Sequence, residues 1–164
     1  MERVNRIIAN ADYKLYLQKN LAEEKKRPFC SHHFEHLLAV ARLSYTLLLE
    51  EGCPFISREI AYAAGLLHDI GRWQEYRSKT DHAHYSAELA EPILAQAGFS
   101  EEESQFIQKA IAQHRIKGLS GGHRSPLSKA LSRADSLSRL CFLCDARNSC
   151  TELEKQPHRE KLQY

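Results

Sequence analysis

Four histidines and two aspartates sit on the apolar faces of a chain whose hydrophobic spacing is helical almost throughout. His36 shares a helical stripe with Val40, Leu43 and Leu47. His68 follows Ile60, Ala61 and Ala64, and His114 follows Ile107, Ala110 and Ile111. His82 aligns with Ser86, Leu89, Ala90 and Ile93, whereas its neighbour His84 aligns with Ala87, Glu88 and Glu91. His82 should therefore face inward and His84 face water. Asp135 shares a stripe with Leu127, Leu131, Ala134 and Phe142, and Asp69 ends an apolar segment just before Gly71. Taken singly, an inward histidine is a satisfied core residue, and an inward aspartate pairs with a cation such as Arg133 or Arg139. Together they ask for more. Burying an unpartnered ion costs several kcal/mol, and a metal is one centre that satisfies all six side chains at once. Imidazole with carboxylate suits Fe, Mn, Co, Ni or Zn, and helical bundles build such sites from inward residues on facing helices.

The elements that must position these groups read as an all-α bundle of about six helices. An amphipathic helix over 2–24 carries Val4, Ile7, Ile8, Ala11, Leu15 and Ala22. A helix over 33–51, apolar nearly all round, is the expected central one, closed by Gly52 and Pro54. Ser57 caps a third, 58–70, ending at Gly71. The polar stretch 72–80 reads as a loop. A fourth helix runs from about Asp81 to Ala97, with a kink or break expected at Pro92. Ser100 and Glu103 form a capping box that opens a fifth helix, to about Lys117. Ser125-Pro126 starts a sixth, to about Cys144, and a polar tail occupies 145–164.

With 164 residues the chain is expected to be one domain, the segment 1–28 packing on its core. Its 43% hydrophobic and 27% charged residues are an ordinary globular mix. The 23 Lys+Arg against 21 Asp+Glu leave a net charge of +2, which argues against a nucleic-acid polymer as partner. The start of the sequence lacks the apolar stretch of a signal peptide, and the longest apolar-leaning segment, 37–49, is too short and interrupted to span a bilayer. A cytoplasmic location is the expectation, and the five cysteines read as free thiols or metal ligands.

Leu66-Leu67-His68-Asp69-Ile70-Gly71-Arg72, with His36 upstream and Arg133-Ala134-Asp135-Ser136 downstream, resembles the signature of the HD-domain metal-dependent phosphohydrolase superfamily, in its small single-domain bacterial form. The segment from Asp81 to Glu88 is similar to the extra-histidine stretch of two-metal members, with Ser86 where glycine is usual, and Ile111-Ala112-Gln113-His114 is similar to their next ligand. The resemblance implies that His36, His68, Asp69 and Asp135 hold one divalent transition metal. It implies that Asp69, His82 and His114 hold a second, with Asp69 bridging. Many two-metal members carry a second histidine where this chain has Arg115.

Two divalent ions about 3.5–4 Å apart lower the pKa of a bridging water and clamp a phosphoryl group during in-line displacement. The expected activity is therefore hydrolysis of a phosphoester or phosphoanhydride of a small molecule, a nucleotide being favoured. Arg72, Lys79, Arg115, Lys117 and Arg124 are the cations that could bind its remaining oxygens. Asp69, Arg72 and Lys117 are the expected catalytic groups, with Lys117 or His84 as proton donor to the leaving group. His33, His123 and His158 read as solvated or loop residues, and His32, four residues before His36, as a surface residue that could otherwise support the site's ligands from outside. Cys141-x2-Cys144-x5-Cys150, with Cys30 before the central helix, could hold zinc or an iron–sulfur cluster. The competing functions are a di-iron oxygenase on the same fold and a non-enzymatic metal- or redox-sensing module built on the cysteines.

Overall fold

The structure, a computed structural model, describes residues 1–25, 27, 29–116 and 124–162. The helices are α1 (Glu2–Ala9), α2 (Ala11–Glu24), α3 (Phe34–Glu50), α4 (Arg58–Leu67), α5 (Arg72–Ser78), α6 (His82–Ala97), α7 (Glu101–Ala112) and α8 (Pro126–Leu137). No strand occurs among the described residues. The central helix is α3, packed between α4 and α8, while α6 and α7 form a second pair that closes over α4. Leu37, Val40, Ala41, Leu47 and Leu48 of α3 are fully buried. Each such leucine contributes roughly 1.5–3 kcal/mol by leaving water.

Five boundaries differ from the spacing-based expectation, the first three for a local reason. The segment 2–24 is two helices, because Asn10 leaves helical geometry (ψ 136°) and its side chain accepts from the Asp12 and Tyr13 N–H groups. That break rotates the phase of α2. Ala11, Leu15 and Ala22 are exposed, and the inward face carries Tyr13, Asn20 and Glu24. The stretch 72–80 is not a loop throughout, since α5 forms with Trp73 as its one buried anchor. Accordingly α4 stops at Leu67, and Gly71 serves as the N-cap of α5. A Cβ at Gly71 would meet the Ser86 backbone nitrogen at 2.9 Å, so only glycine lets this turn approach α6. Finally, α7 ends at Ala112 and α8 at Leu137, both earlier than the apolar spacing suggested. Pro92 does not break α6, which is continuous to Ala97. The capping groups Ser57, Asp81, Ser100 with Glu103, and Ser125 act as expected.

The first helix docks through charge as well as through Val4 and Ile7. Arg3 donates from its backbone N–H and from Nε to Glu59 at 3.1 and 2.8 Å, and from Nη1 to Glu103 at 2.6 Å. Hydrogen bonding from Arg3 is the main cause that holds the Glu59 carboxyl at about 2. A depressed carboxyl stabilises above its unfolded value and loses that contribution as pH falls towards the folded one. Urea midpoints should therefore fall as pH drops from about 4.5 to 2. Glu59→Gln should flatten this acid dependence while costing less than about 1 kcal/mol at neutral pH. An unchanged acid limb in the variant would remove Glu59 from the account.

Candidate metal centre

Five helices deliver the six side chains to one point, mostly from their ends. His36 is in the first turn of α3, and Asp135 in the last turn of α8. His68 caps the C-terminus of α4 with Asp69 next to it, His82 opens α6, and His114 lies two residues past α7. His68, Asp69, His82 and His114 are all at most 4% exposed. His84 is exposed on the outer face of α6, as its stripe predicts.

The ligand atoms fall into two groups that share one carboxylate. His36, His68, Asp69 and Asp135 each offer an atom within 4.8 Å of the others, and Asp69, His82 and His114 do the same. Nε2 of His36 lies 3.3 Å from Asp135 Oδ1, and Nε2 of His68 lies 3.2 Å from Asp69 Oδ2. On the far side, Asp69 Oδ1 is 3.0 Å from His82 Nε2 and 3.7 Å from His114 Nε2.

The other ring nitrogen of each histidine is held from outside. Nδ1 of His68 donates to the Gly65 carbonyl at 2.8 Å, and Nδ1 of His114 to the Ile111 carbonyl at 2.7 Å. Nδ1 of His82 lies 2.5 Å from Glu75 and 2.6 Å from Arg72 Nη1, and Nδ1 of His36 is 3.2 Å from the Ser138 hydroxyl. At His68 and His114 the carbonyl partner fixes the tautomer that turns Nε2 inward, and such outer partners are the usual support of metal-ligating histidines. The buried Nε2 of His36, Nε2 of His68 and Oδ1 of Asp69 have no hydrogen-bond partner. Such orphaned atoms cost about 1–3 kcal/mol each, and a cation at this point would satisfy all three. The donor set, imidazole with carboxylate, therefore fits divalent transition metals.

Electrostatics concentrate on Asp69. Burial alone would raise its carboxyl, but His68, His82 and His32 around it hold it well below the carboxylate range. Burial would likewise lower His68, yet Asp69 and Asp135 beside it raise its imidazole to about 10. His36 and His114 go the other way. Burial, reinforced by nearby cations, pushes each to about 4, so both are neutral at pH 7.

Several positioning groups escape the sequence reading. His32 is buried rather than on the surface. Its backbone N–H donates to Glu24 at 2.8 Å, its Nδ1 pairs with the same carboxylate, and its Nε2 stands 3.6 Å from Asp69. Asn20, fully buried, donates to the Asp69 carbonyl at 2.8 Å and accepts from the Trp73 N–H at 2.7 Å, locking the turn that carries His68 and Asp69. The inward stripe Tyr13–Asn20–Glu24 is the signal, but it is visible only once the break at Asn10 is known. Asn20→Ala should cost roughly 1–3 kcal/mol by orphaning both backbone groups. It should also speed metal loss to a chelator, and chelation at the unaltered rate would show that Asn20 does not position the turn.

The candidate oxygen-binding cations separate. Arg72 and Arg115 line a cleft of about 570 Å³ that opens onto Asp69, His82, His114 and Asp135, and Arg27 and Arg139 join them there. Arg72 is oriented by Glu75 at 2.8 Å and by the Tyr76 hydroxyl at 3.2 Å. Arg115 pairs with Glu75 at 2.9 Å and Asp81 at 3.3 Å. Lys79, exposed at the end of α5, is not among the cleft-lining residues. Arg124 is turned instead to the carbonyls of Ile116 and Ser128, both at 2.7 Å. Lys117 and His123 lie outside the described residues. Asp135 takes Arg139 as its cation at 2.9 Å, while Arg133 pairs with Glu51. The segment after α8 is no free tail. Cys150, Thr151, Glu152 and Gln156 wall the cleft, and His158 is buried rather than solvated.

Comparison with known proteins identifies the family. The HD domain profile matches residues 33–140. A Clostridium beijerinckii protein described as uncharacterized is 37% identical over 150 residues, covering 92% of each chain. The 3'-5' exoribonuclease YhaM of Shouchella clausii is 24% identical over 139 residues, 77% of this chain but only 43% of that protein. A crystal structure described as a predicted HD superfamily hydrolase, from an uncultured Thermotogales bacterium, superposes with a TM-score of 0.57 at 29% identity, covering 76% of this chain and 66% of the other. No helix among the described residues is long and apolar enough to cross a membrane. The matched span takes in more than half of the chain and all six of the clustered side chains, and the chain belongs to the HD-domain family.

Proposed function

We propose that this chain is a metal-dependent phosphohydrolase that cleaves a phosphoester or phosphoanhydride of a small molecule, with a nucleotide as the favoured substrate. The observation that carries the reading is Asp69, shared by two ligand groups at the base of a cleft rimmed by arginines. Bound there, divalent metals would supply Lewis acidity and a water of lowered pKa for in-line displacement at phosphorus. The chain's own residues do the rest. His36, His68, Asp69 and Asp135 would hold one ion and Asp69, His82 and His114 the other. Arg72 and Arg115, already held in place by Glu75, present guanidinium groups suited to bidentate binding of phosphate oxygens. Burial of Asp69 and the histidines keeps bulk water from the ligand shell. The likeness to an exoribonuclease supports phosphate-ester cleavage over oxygen chemistry.

Chelation and reloading test this directly. Protein stripped with EDTA should lose turnover of nucleotide and aryl phosphate substrates and recover it with Mn²⁺, Co²⁺ or Fe²⁺, with no consumption of dioxygen. Turnover that requires dioxygen would replace the hydrolase with an oxygenase. No turnover by the reloaded chain on phosphomonoesters, diesters or anhydrides would favour the sensing module.

A further inference from the structure

Four thiols lie beside this centre without being part of it. Cys30 precedes α3, and Cys141, Cys144 and Cys150 follow α8, yet both groups meet at one place. Cys30 and Cys141 line the main cleft together with Cys150, and they line an adjoining cavity together with Cys144. None of the four is in a disulfide. Successive tight turns gather the second group. The Cys144 N–H donates to the Cys141 carbonyl at 3.2 Å, Arg147 to Cys144 at 3.1 Å, and Cys150 to Arg147 at 3.2 Å. Turns of this kind bring residues three apart onto one side. Burial first, and then the other three thiols, push the Cys141 thiol up. Arg139, the partner of Asp135, interacts electrostatically with Cys30 and so places a cation at the edge of the group.

The spread of the sulfurs favours the larger of two thiolate-bound centres. A single zinc with bonds of about 2.3 Å would draw four thiolates to within ~3.8 Å of one another. Among the described residues no three of these sulfurs fall within 4.8 Å of each other. An iron–sulfur cluster puts iron and sulfide between its thiolates and takes a wider set. The segment also needs an anchor. It forms no α-helix, and Leu143 and Leu162 are exposed, so apolar burial does little to hold it. We propose that Cys30, Cys141, Cys144 and Cys150 ligate a [4Fe–4S] cluster that staples the C-terminal segment to the start of α3 and completes one wall of the cleft.

Protein prepared without oxygen, or incubated anaerobically with ferrous iron and sulfide, should be brown and carry about four acid-labile sulfides per chain. Cys144→Ser and Cys150→Ser should lose the sulfide and the visible absorption, and proteases should cut them beyond Leu140 several times faster than the unaltered chain. Cys53→Ser, outside the group, should keep all three properties. Asp69→Ala should keep its sulfide while losing the His/Asp metals, so failure at one site is read apart from failure at the other. Stoichiometric zinc without sulfide would overturn the cluster, as would four freely alkylated thiols after anaerobic reconstitution.

Discussion

Asp69→Ala is expected to abolish metal retention at both groups, and His68→Ala at the first, with turnover falling at least about a hundredfold in each. The lower bound follows because even the outer partners of metal ligands are worth 10–100-fold, and these two side chains offer ligand atoms themselves. The two losses differ in kind. Among the described residues, Asp69 is the one carboxylate within reach of all of His68, His82, His114 and His32. Removing it takes the common member from both groups and part of the negative charge that raises His68. Removing His68 takes one ligand and leaves Asp69, His82 and His114 in place. Elemental analysis should therefore show no bound metal in Asp69→Ala and a residual single ion in His68→Ala, with His82→Ala losing only the second. Circular dichroism separates this from unfolding. Full activity in either Asp69→Ala or His68→Ala would sink the phosphohydrolase reading.

That all six residues were legible follows from where they sit. His36, His82 and Asp135 lie inside helices long enough for the apolar period to define a face, and the same period separates His82 from His84. His68 and His114 stand just past helix ends, but the stripe continues through them. The missed features share the opposite property. Asn10 interrupts an apolar period that continues on both sides, so only its capping hydrogen bonds reveal the break. With Trp73 as its single buried residue, α5 has no period to find. His32 belongs to no helix at all, and its burial depends on Glu24 from α2 and on the Asp69 turn, contacts that no local spacing encodes. Cys30 differs. Its approach to Cys141 was legible because the helices that carry His36 and Asp135 must converge, and α3 does pack on α8.

The residue that positions the centre most strictly is a glycine that touches it only through its carbonyl. Gly65 lies inside α4, where glycine ordinarily costs about 0.5–1 kcal/mol relative to alanine. On an open helix Gly65→Ala would therefore stabilise. Here a Cβ would stand 2.4 Å from Ala41 Cα, 2.6 Å from its nitrogen and 2.7 Å from its Cβ, all on the central helix. Two of those three atoms are backbone, so α3 and α4 must separate. Overpacking of this kind costs about 1–3 kcal/mol and occasionally more, which outweighs the gain in helix propensity. At roughly 2–4 °C per kcal/mol for a chain of this length, the thermal midpoint of Gly65→Ala should fall by several degrees. Gly65→Val should fare worse still. The Gly65 carbonyl accepts the His68 Nδ1 proton at 2.8 Å, so the same displacement should loosen metal retention in the folded fraction. Adding Ala41→Gly removes the Cβ contact but not the two backbone ones, and it should restore only part of the loss. A midpoint that rises in Gly65→Ala, or a complete rescue by Ala41→Gly, would show that the close approach of α3 and α4 does not fix the position of His68.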